Sequence, residues 1–384
     1  MNVFVSAGEA SGDAYAAALT SEIRKLNASA ALDLPLELGF LGVGGKRFRD
    51  TGAQIVADSS QWGAVSIIES LKVYPRVVRG YYRSKRLFET MERGLFVPID
   101  FGFVNTRLAR HAKAAGWKVL YFAPPGSWRR NKQGGDLPRI TDAIATQFSW
   151  SADLLNAAGA NAHWYGHPIR QLLKDRGVGR APEVSDRIAV LPGSRNHEIK
   201  QNLPLLAASL KEPVEFALAP SVDADRFKAE WRKLAQSRSS DRFTQGDVYA
   251  VLTRCRAAIV CSGTATLEAA LCRCPMVVIY KFSKIAAVEA KLVRFKIPEF
   301  VSLPNILLQR EVVPELLQAN ATPDNLRRAL ESIAEDPAVR SAQLQAFEDL
   351  DTMLGPDDAI TRTARLALSL IADRSRPSAL KQPS

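Results

Sequence analysis

Short apolar runs recur along the chain, and each is followed by a turn of small or charged residues and then by a segment of helical periodicity. That alternation is the pattern of parallel strands wound with helices, because parallel strands are buried on both faces and need a crossover to return to the sheet. In a first block the runs predict strands over residues 2–5, 37–41, 95–99, 118–122 and 143–146, with a first helix over about 13–26. A second block predicts strands over 187–191, 214–219, 257–261 and 276–280. Between the blocks lie Gly166-His167-Pro168 and a polar stretch, 174–185, that reads as a linker. Helical periodicity returns over 323–335 and 338–354, Gly355-Pro356-Asp357-Asp358 breaks and caps it, and a last helix follows from Ala359.

The expected fold class is α/β, with two Rossmann-like domains facing each other across a cleft and the C-terminal helix returning to the N-terminal domain. The expected limits are 1–170, 185–354, a helix over 355–374 and a loose tail over 375–384. A length of 384 residues suits two domains of ordinary size.

Open parallel sheets bind ligands beyond the carboxyl ends of their strands. Every candidate motif here sits at such an end: Gly8-Glu9-Ala10-Ser11-Gly12-Asp13, Gly42-Val43-Gly44-Gly45, Asp100, Pro192-Gly193-Ser194-Arg195 and Ser262-Gly263-Thr264. The run Val260-Cys261-Ser262-Gly263-Thr264-Ala265-Thr266-Leu267-Glu268 reads as a phosphate cradle opening a helix. Small residues admit a ligand close to the backbone, the first-turn N–H groups attract anions, and hydroxyls add donors. Glu268, one turn in, can accept from the paired hydroxyls of a ribose. The same residues also fit an ordinary strand-to-helix turn capped by Ser262 or Thr264. Gly193 permits a sharp turn and Arg195 offers a forked donor to a diphosphate, the alternative being a surface turn with a solvated guanidinium.

An inverting sugar transfer also needs a general base. The candidates are Asp100, Glu9 and Asp13. Asp13 has a rival reading as a first-turn acid favoured by the helix dipole. His167 is read as a hinge or nucleotide contact, and His111, His163 and His197 as structural or surface groups. The four cysteines, Cys255, Cys261, Cys272 and Cys274, lack paired metal-ligand spacing, so buried thiols are expected, with no metal, no disulfide and no cofactor.

A net charge of +11 predicts attraction to polyanions. Residues 65–91 interleave Tyr74, Tyr81 and Tyr82 with Lys72, Arg76, Arg79, Arg83, Lys85 and Arg86 beside apolar positions, and 281–296 is similarly basic and apolar. Such segments suit an anionic membrane surface, or are ordinary amphipathic helices. A groove for single-stranded nucleic acid would use the same residue types, but no nucleic-acid motif accompanies them and none is expected as a partner. No run of about 20 uncharged apolar residues appears and the first residues lack the form of a secretory signal, so a cytoplasmic location is expected.

Taken in order, these motifs resemble the lipid-A-disaccharide synthase family, inverting glycosyltransferases of the two-Rossmann type. The resemblance runs from Ser6 to about Leu326 and includes Ser6-Ala7-Gly8-Glu9-Ala10-Ser11-Gly12-Asp13, Gly166-His167-Pro168, Leu191-Pro192-Gly193-Ser194-Arg195, Val301-Ser302-Leu303-Pro304-Asn305 and Arg310-Glu311-Val312-Val313-Pro314-Glu315-Leu316-Leu317-Gln318. It implies a UDP-sugar donor, an acylated glucosamine phosphate acceptor and work at the cytoplasmic face of the inner membrane. It also implies Asp100 as the base, with Glu9 and Asp13 near the acceptor. Binding positions are implied at Ser11, Gly12, Gly44, Asn105, His167, Gly193, Ser194, Arg195, Ser262, Gly263, Thr264, Glu268 and Asn305. Departures gather in the first block. The family's Ile-Asp-Ala-Pro-Asp-Phe-Asn stands here as Ile99-Asp100-Phe101-Gly102-Phe103-Val104-Asn105, and its Ser-Pro-Ser-Val-Trp-Ala-Trp-Arg as Ala123-Pro124-Pro125-Gly126-Ser127-Trp128-Arg129-Arg130. Other activities on the same fold are a different glycosyl transfer, a UDP-sugar epimerisation or non-catalytic lipid binding.

Overall fold

The computed structural model describes the chain except residues 30–35, 61, 63–66, 126–134, 179–184, 236–239, 282–298 and 376–384, and except the side chains of 67–72, 374 and 375. The basic segment at 281–296, the Trp128 motif and the tail expected over 375–384 fall largely outside the described residues.

Two compact units make up the chain: Met1–Ala64, Ser70–Leu172 and Leu354–Ser384 form one, and Val65–Glu69 with Leu173–Met353 the other. The first holds seven strands, β1 (Asn2–Ala7), β2 (Gly39–Gly44), β3 (Gln54–Asp58), β4 (Leu95–Ile99), β5 (Lys118–Phe122), β6 (Ala143–Thr146) and β7 (Ala162–Trp164). They form one sheet in the order β3-β2-β1-β4-β5-β6-β7, with every neighbouring pair parallel. The second unit repeats the plan with β8 (Ser185–Leu191), β9 (Val214–Leu218), β10 (Arg242–Gln245), β11 (Cys255–Cys261), β12 (Met276–Tyr280) and β13 (Glu315–Leu317), in the order β10-β9-β8-β11-β12-β13. Each is a Rossmann-like sheet. The winding starts at a central strand, runs to one edge, then resumes on the other side, so it reverses between β1 and β4 and between β8 and β11.

Alternation along the strands of the first unit assigns its two faces. Val3, Val5, Leu95, Val97, Leu120 and Phe122 enter one core with helix Ala10–Ala28; Phe4, Phe96, Val119 and Tyr121 enter the other with helix Gly102–Ala114. The last helix, Ala359–Ser375, packs on the first of these cores through Ile360, Ala364, Ala367, Leu368 and Ile371, so the chain's end does return to the first unit. Each of these side chains is nearly or wholly shielded, and at about 25 cal/mol per Å² this burial is the main support of the helix.

The segments where the chain leaves and re-enters the first unit lie together. The His167 N–H donates to the Leu354 carbonyl at 2.8 Å. Gly166 (φ 98°) backs onto Pro356, where a Cβ would come within 2.0 Å of the carbonyl oxygen, and Gly355 (φ 74°) lies against the Trp164 indole.

Strand contacts in the first unit are equally close. At Gly42 a Cβ would come 1.8 Å from the Val5 carbonyl oxygen, within the β1–β2 pairing. Gly42→Ala is therefore expected to cost more than about 2 kcal/mol in denaturant unfolding, and an unchanged midpoint would refute the close approach.

Candidate functional site

At the first reversal of winding, β1 and β4 end side by side, with Ala7 opposite Ile99. Beyond β1 the chain turns at Gly8, and Glu9, extended at φ −135° and ψ 167°, stands at the N-cap position of helix Ala10–Ala28. Beyond β4, two successive non-glycine residues are left-handed, Asp100 at φ 44° and Phe101 at φ 49°, before helix Gly102–Ala114 begins. The two turns interlock. A Cβ on Gly8 would come 2.2 Å from Cγ of Phe101, so only glycine lets that ring lie there, and the ring also meets Trp62 at 5.9 Å.

A left-handed pair persists only where its surroundings over-determine it. Here Asp100 N–H donates to the Phe122 carbonyl at 3.2 Å. Buried Asn105 donates through Nδ2 to the carbonyls of Ser6 (2.9 Å), Ile99 (3.0 Å) and Asp100 (3.0 Å), and its Oδ1 accepts from the Ser6 hydroxyl at 2.6 Å. The Asp100 carboxyl is half-buried. Burial first, then the negative charge of Glu9, push its pKa up to about 6, against a smaller opposing effect of the Phe101 N–H. Asp100 and Glu9 are thus brought together as a pair of acids, one tuned toward neutrality.

Asp13 is engaged by the backbone of the neighbouring turn. Its carboxylate accepts from the backbone N–H groups of Gly45 (2.6 Å), Arg47 (3.0 Å) and Phe48 (3.2 Å), and so caps the neighbouring helix Lys46–Asp50 rather than its own. Buried and held by three donors, it anchors the Gly44-Gly45 turn from its place in the first turn of helix Ala10–Ala28, the position the helix-dipole reading gave it. Gly12 packs against Ala7 and Gly44 against Phe48, while Ser11 is half-buried on the first turn of helix Ala10–Ala28. Asn105 is a buried clamp behind Asp100. His167 is also fully enclosed, accepts at Nδ1 from Ile169 N–H at 3.3 Å, and is driven down to about 3 by burial, so it is neutral.

In the second unit the reversal brings the ends of β8 and β11 together, Leu191 opposite Val260. Gly193 (φ 114°) makes the turn, and Arg195 caps helix Asn196–Ser209. Glu198 organises this turn, a residue the motif reading passed over although its spacing after Arg195 is that of a capping box. Its buried carboxylate accepts from Ser194 N–H (3.0 Å), Arg195 N–H (3.2 Å) and the Arg195 guanidinium (2.9 Å). Arg195 is therefore held in place by an acid.

After β11, the Ser262 hydroxyl donates to the Val301 carbonyl at 2.8 Å and Gly263 adopts φ 143°. Among the described residues an added Cβ at Gly263 would meet nothing within 4 Å, so these leave the backbone at the start of helix Thr264–Leu271 open to close approach. Thr264 is half-buried at that start. One turn on, Glu268 accepts from the Tyr249 hydroxyl at 2.8 Å. Asn305 lies deeper: it accepts from Val312 and Val313 N–H (2.8 and 3.0 Å) and donates to the Val313 carbonyl (2.9 Å) and Glu315 (2.8 Å). Glu315 in turn accepts from Val301 and Ser302 N–H, both at 2.9 Å. Asn305, expected to bind nucleotide, thus fastens the 301–315 segment beneath Ser262. All four cysteines are buried free thiols, and burial pushes Cys261 up to about 12.

A family model described as lipid-A-disaccharide synthetase matches residues 3–355, nearly the whole chain and both sites. The chain belongs to the lipid-A-disaccharide synthase family. It is 33% identical over 379 residues to the lipid-A-disaccharide synthase of Neisseria gonorrhoeae, covering 93% of each chain. To that of Geobacter sulfurreducens it is 30% identical over 388 residues, covering 96% of this chain and 97% of the relative. Among solved structures, UDP-GlcNAc 2-epimerase from Neisseria meningitidis bound to UDP-GlcNAc is similar with a TM-score of 0.61 at 10% identity, covering 96% of this chain and 100% of that one. MurG of Acinetobacter baumannii gives 0.53 at 13% identity, covering 96% and 99%. At such identities the likeness is one of fold: two Rossmann-like units in a single chain.

Within this family framework the raised Asp100 carboxyl has a consequence for stability. Its folded pKa exceeds that of the unfolded chain, so its ionised form is disfavoured by folding; the penalty is full above about pH 6 and vanishes below the ordinary carboxylate range. Asp100→Asn is expected to stabilise the protein by roughly 1–2 kcal/mol at pH 8, with the gain shrinking as pH falls from 6 toward 4. Thermal melts that show the same difference at pH 8 and pH 4 would rule this out.

Proposed function

We propose that the protein transfers a diacylglucosaminyl unit from UDP-2,3-diacylglucosamine to 2,3-diacylglucosamine 1-phosphate, with inversion and release of UDP, as a step in lipid A biosynthesis. The observation that carries this reading is Asp100, a carboxyl at a switch point whose pKa of about 6 leaves it ionised near neutrality yet basic enough to take a proton. In the proposed reaction the acceptor hydroxyl attacks the anomeric carbon of the donor as Asp100 removes its proton. The new carbon–oxygen bond forms as the bond to the diphosphate breaks, and the electron pair leaves with UDP.

Negative charge then grows on the diphosphate, and positioned donors there lower the barrier. Ser262, Gly263 and Thr264 supply a strand-to-helix turn with open backbone, and Ser194 with Arg195 a second turn held by Glu198. Glu268, oriented by Tyr249, is assigned to the ribose. Glu9 acts on Asp100 through its charge. Asn105 and Asn305 act from behind, as supports of the two sites.

Acylated substrates would be met at a membrane. Helix Ile67–Thr90 exposes Tyr74, Arg76, Arg79, Tyr82, Arg83 and Arg86, and Phe103 on helix Gly102–Ala114 is 67% exposed with the Arg107 guanidinium 4.0 Å over its ring. Among the described residues no helix is long and apolar enough to cross a membrane. This exposed basic and aromatic surface favours peripheral contact with anionic lipid on the inner face of the cytoplasmic membrane. The triple substitution R79A/R83A/R86A is expected to weaken binding to phosphatidylglycerol vesicles by about tenfold or more at low salt; co-sedimentation with undiminished affinity would remove these arginines from the surface.

The reaction is tested by UDP release from UDP-2,3-diacylglucosamine with and without the acceptor. Release that requires acceptor supports transfer, whereas an epimerase needs no acceptor. Asp100→Ala is expected to reduce kcat by roughly 10²–10⁴-fold. For the native protein kcat/KM should fall as pH drops through about 6, since the base must be ionised. A native-like rate from the Asp100→Ala protein would exclude Asp100 as the base.

A further inference from the structure

Behind Asp100 stands a group that neither the motifs nor the family match brings forward. Tyr121 lies within β5, wholly buried on the face that packs helix Gly102–Ala114. Its hydroxyl donates to the Asp100 carbonyl at 3.0 Å and is hydrogen-bonded with the Thr106 side chain. Burial drives the phenol far above its ordinary pKa, so it stays a neutral donor. A phenylalanine would fill the same apolar space without a buried hydroxyl that needs partners. These two partners belong to the turn and helix that carry the base.

The bond is made where the backbone is least comfortable. The Asp100 carbonyl begins the peptide joining two left-handed residues, φ 44° and φ 49°, and a bond to its oxygen restrains the backbone on which the carboxyl is mounted. Asn105 Nδ2 holds the same carbonyl oxygen at 3.0 Å, but it divides its donors among three carbonyls. We propose that Tyr121 is a positioning residue for Asp100: its phenol, braced by Thr106, pins the Asp100 carbonyl and so aims the carboxylate at the acceptor hydroxyl. This rests on the transferase reading given above. Reacting groups must be held within a fraction of an ångström of a productive geometry, and the phenol supplies that constraint without touching substrate.

The test is Tyr121→Phe, which removes one oxygen and keeps the ring. In the acceptor-dependent UDP assay kcat is expected to fall about tenfold, with KM for either substrate within about twofold and the melting temperature within a few degrees of native. In an Asp100→Asn background, followed by single turnover, adding Tyr121→Phe should cause no further loss. An unchanged kcat, a loss expressed in KM, or an equal loss in both backgrounds would overturn the positioning role.

If the native protein shows no acceptor-dependent release, the transferase reading fails on its own. The clamp is then read without turnover, from the carbon-13 carboxyl titration of Asp100. Its midpoint should drop toward the ordinary carboxylate range in Tyr121→Phe, as the freed carboxyl gains water. A midpoint that does not move would overturn the clamp itself.

Discussion

Parallel pairing is the constraint from which the rest of this structure follows. Because the strands within each sheet run the same way, each sheet has its carboxyl ends on one of its own sides, and each link to the next strand must cross back over that sheet. Winding outward from a central strand in both directions then leaves one place per sheet where two adjacent strand ends send their chains apart. In the first unit that place is framed by Gly8-Glu9 and Asp100-Phe101, and in the second by Gly193 to Arg195 and Ser262 to Thr264. No side-chain chemistry chose these positions; the direction of the hydrogen bonds did, and the chemistry occupies what they left open.

Buried polar residues turn those openings into rigid ones. Asn105, Asp13, Glu198 and Asn305 each gather several backbone groups of a loop onto one side chain. Such a loop keeps its shape without regular secondary structure because its N–H and carbonyl groups are satisfied locally. Three motif residues, and Glu198 outside the motifs, therefore hold the loops that frame these openings. Removing any of them leaves buried donors or acceptors without partners, so their substitution acts through geometry.

Central strands were legible because they are buried on both faces. The apolar runs at 95–99, 118–122, 143–146 and 276–280 coincide with β4, β5, β6 and β12. The strands that escaped notice, β3, β7, β10 and β13, are the four edges of the two sheets. Segments such as Arg242–Gln245 and Glu315–Leu317 are short and only partly covered, so they carry polar residues and no apolar run to read. Asp100 could be singled out from its place after an apolar strand, but not its left-handed backbone. Nothing in Ile99-Asp100-Phe101 announces that conformation; it depends on Asn105, Tyr121 and Phe122, which converge only in the folded sheet. Glu198 and Asp13 show the complementary difficulty, since an acid near a glycine turn looks alike whether it awaits a substrate or already holds the backbone.

The return of helix Ala359–Ser375 to the first unit sets an order on folding during synthesis. Chains emerge from the amino end, and domains generally fold as units. The second unit is an uninterrupted stretch apart from Val65–Glu69, whereas the first lacks part of its cover until the last helix has been made. Until then the apolar face formed by Tyr15, Leu19 and Ile23 has no Ile360, Ala364 or Ile371 to meet. The unit that starts first is thus completed last, and a chain cut after Met353 would carry every residue of the second unit but leave the core of the first without its covering helix.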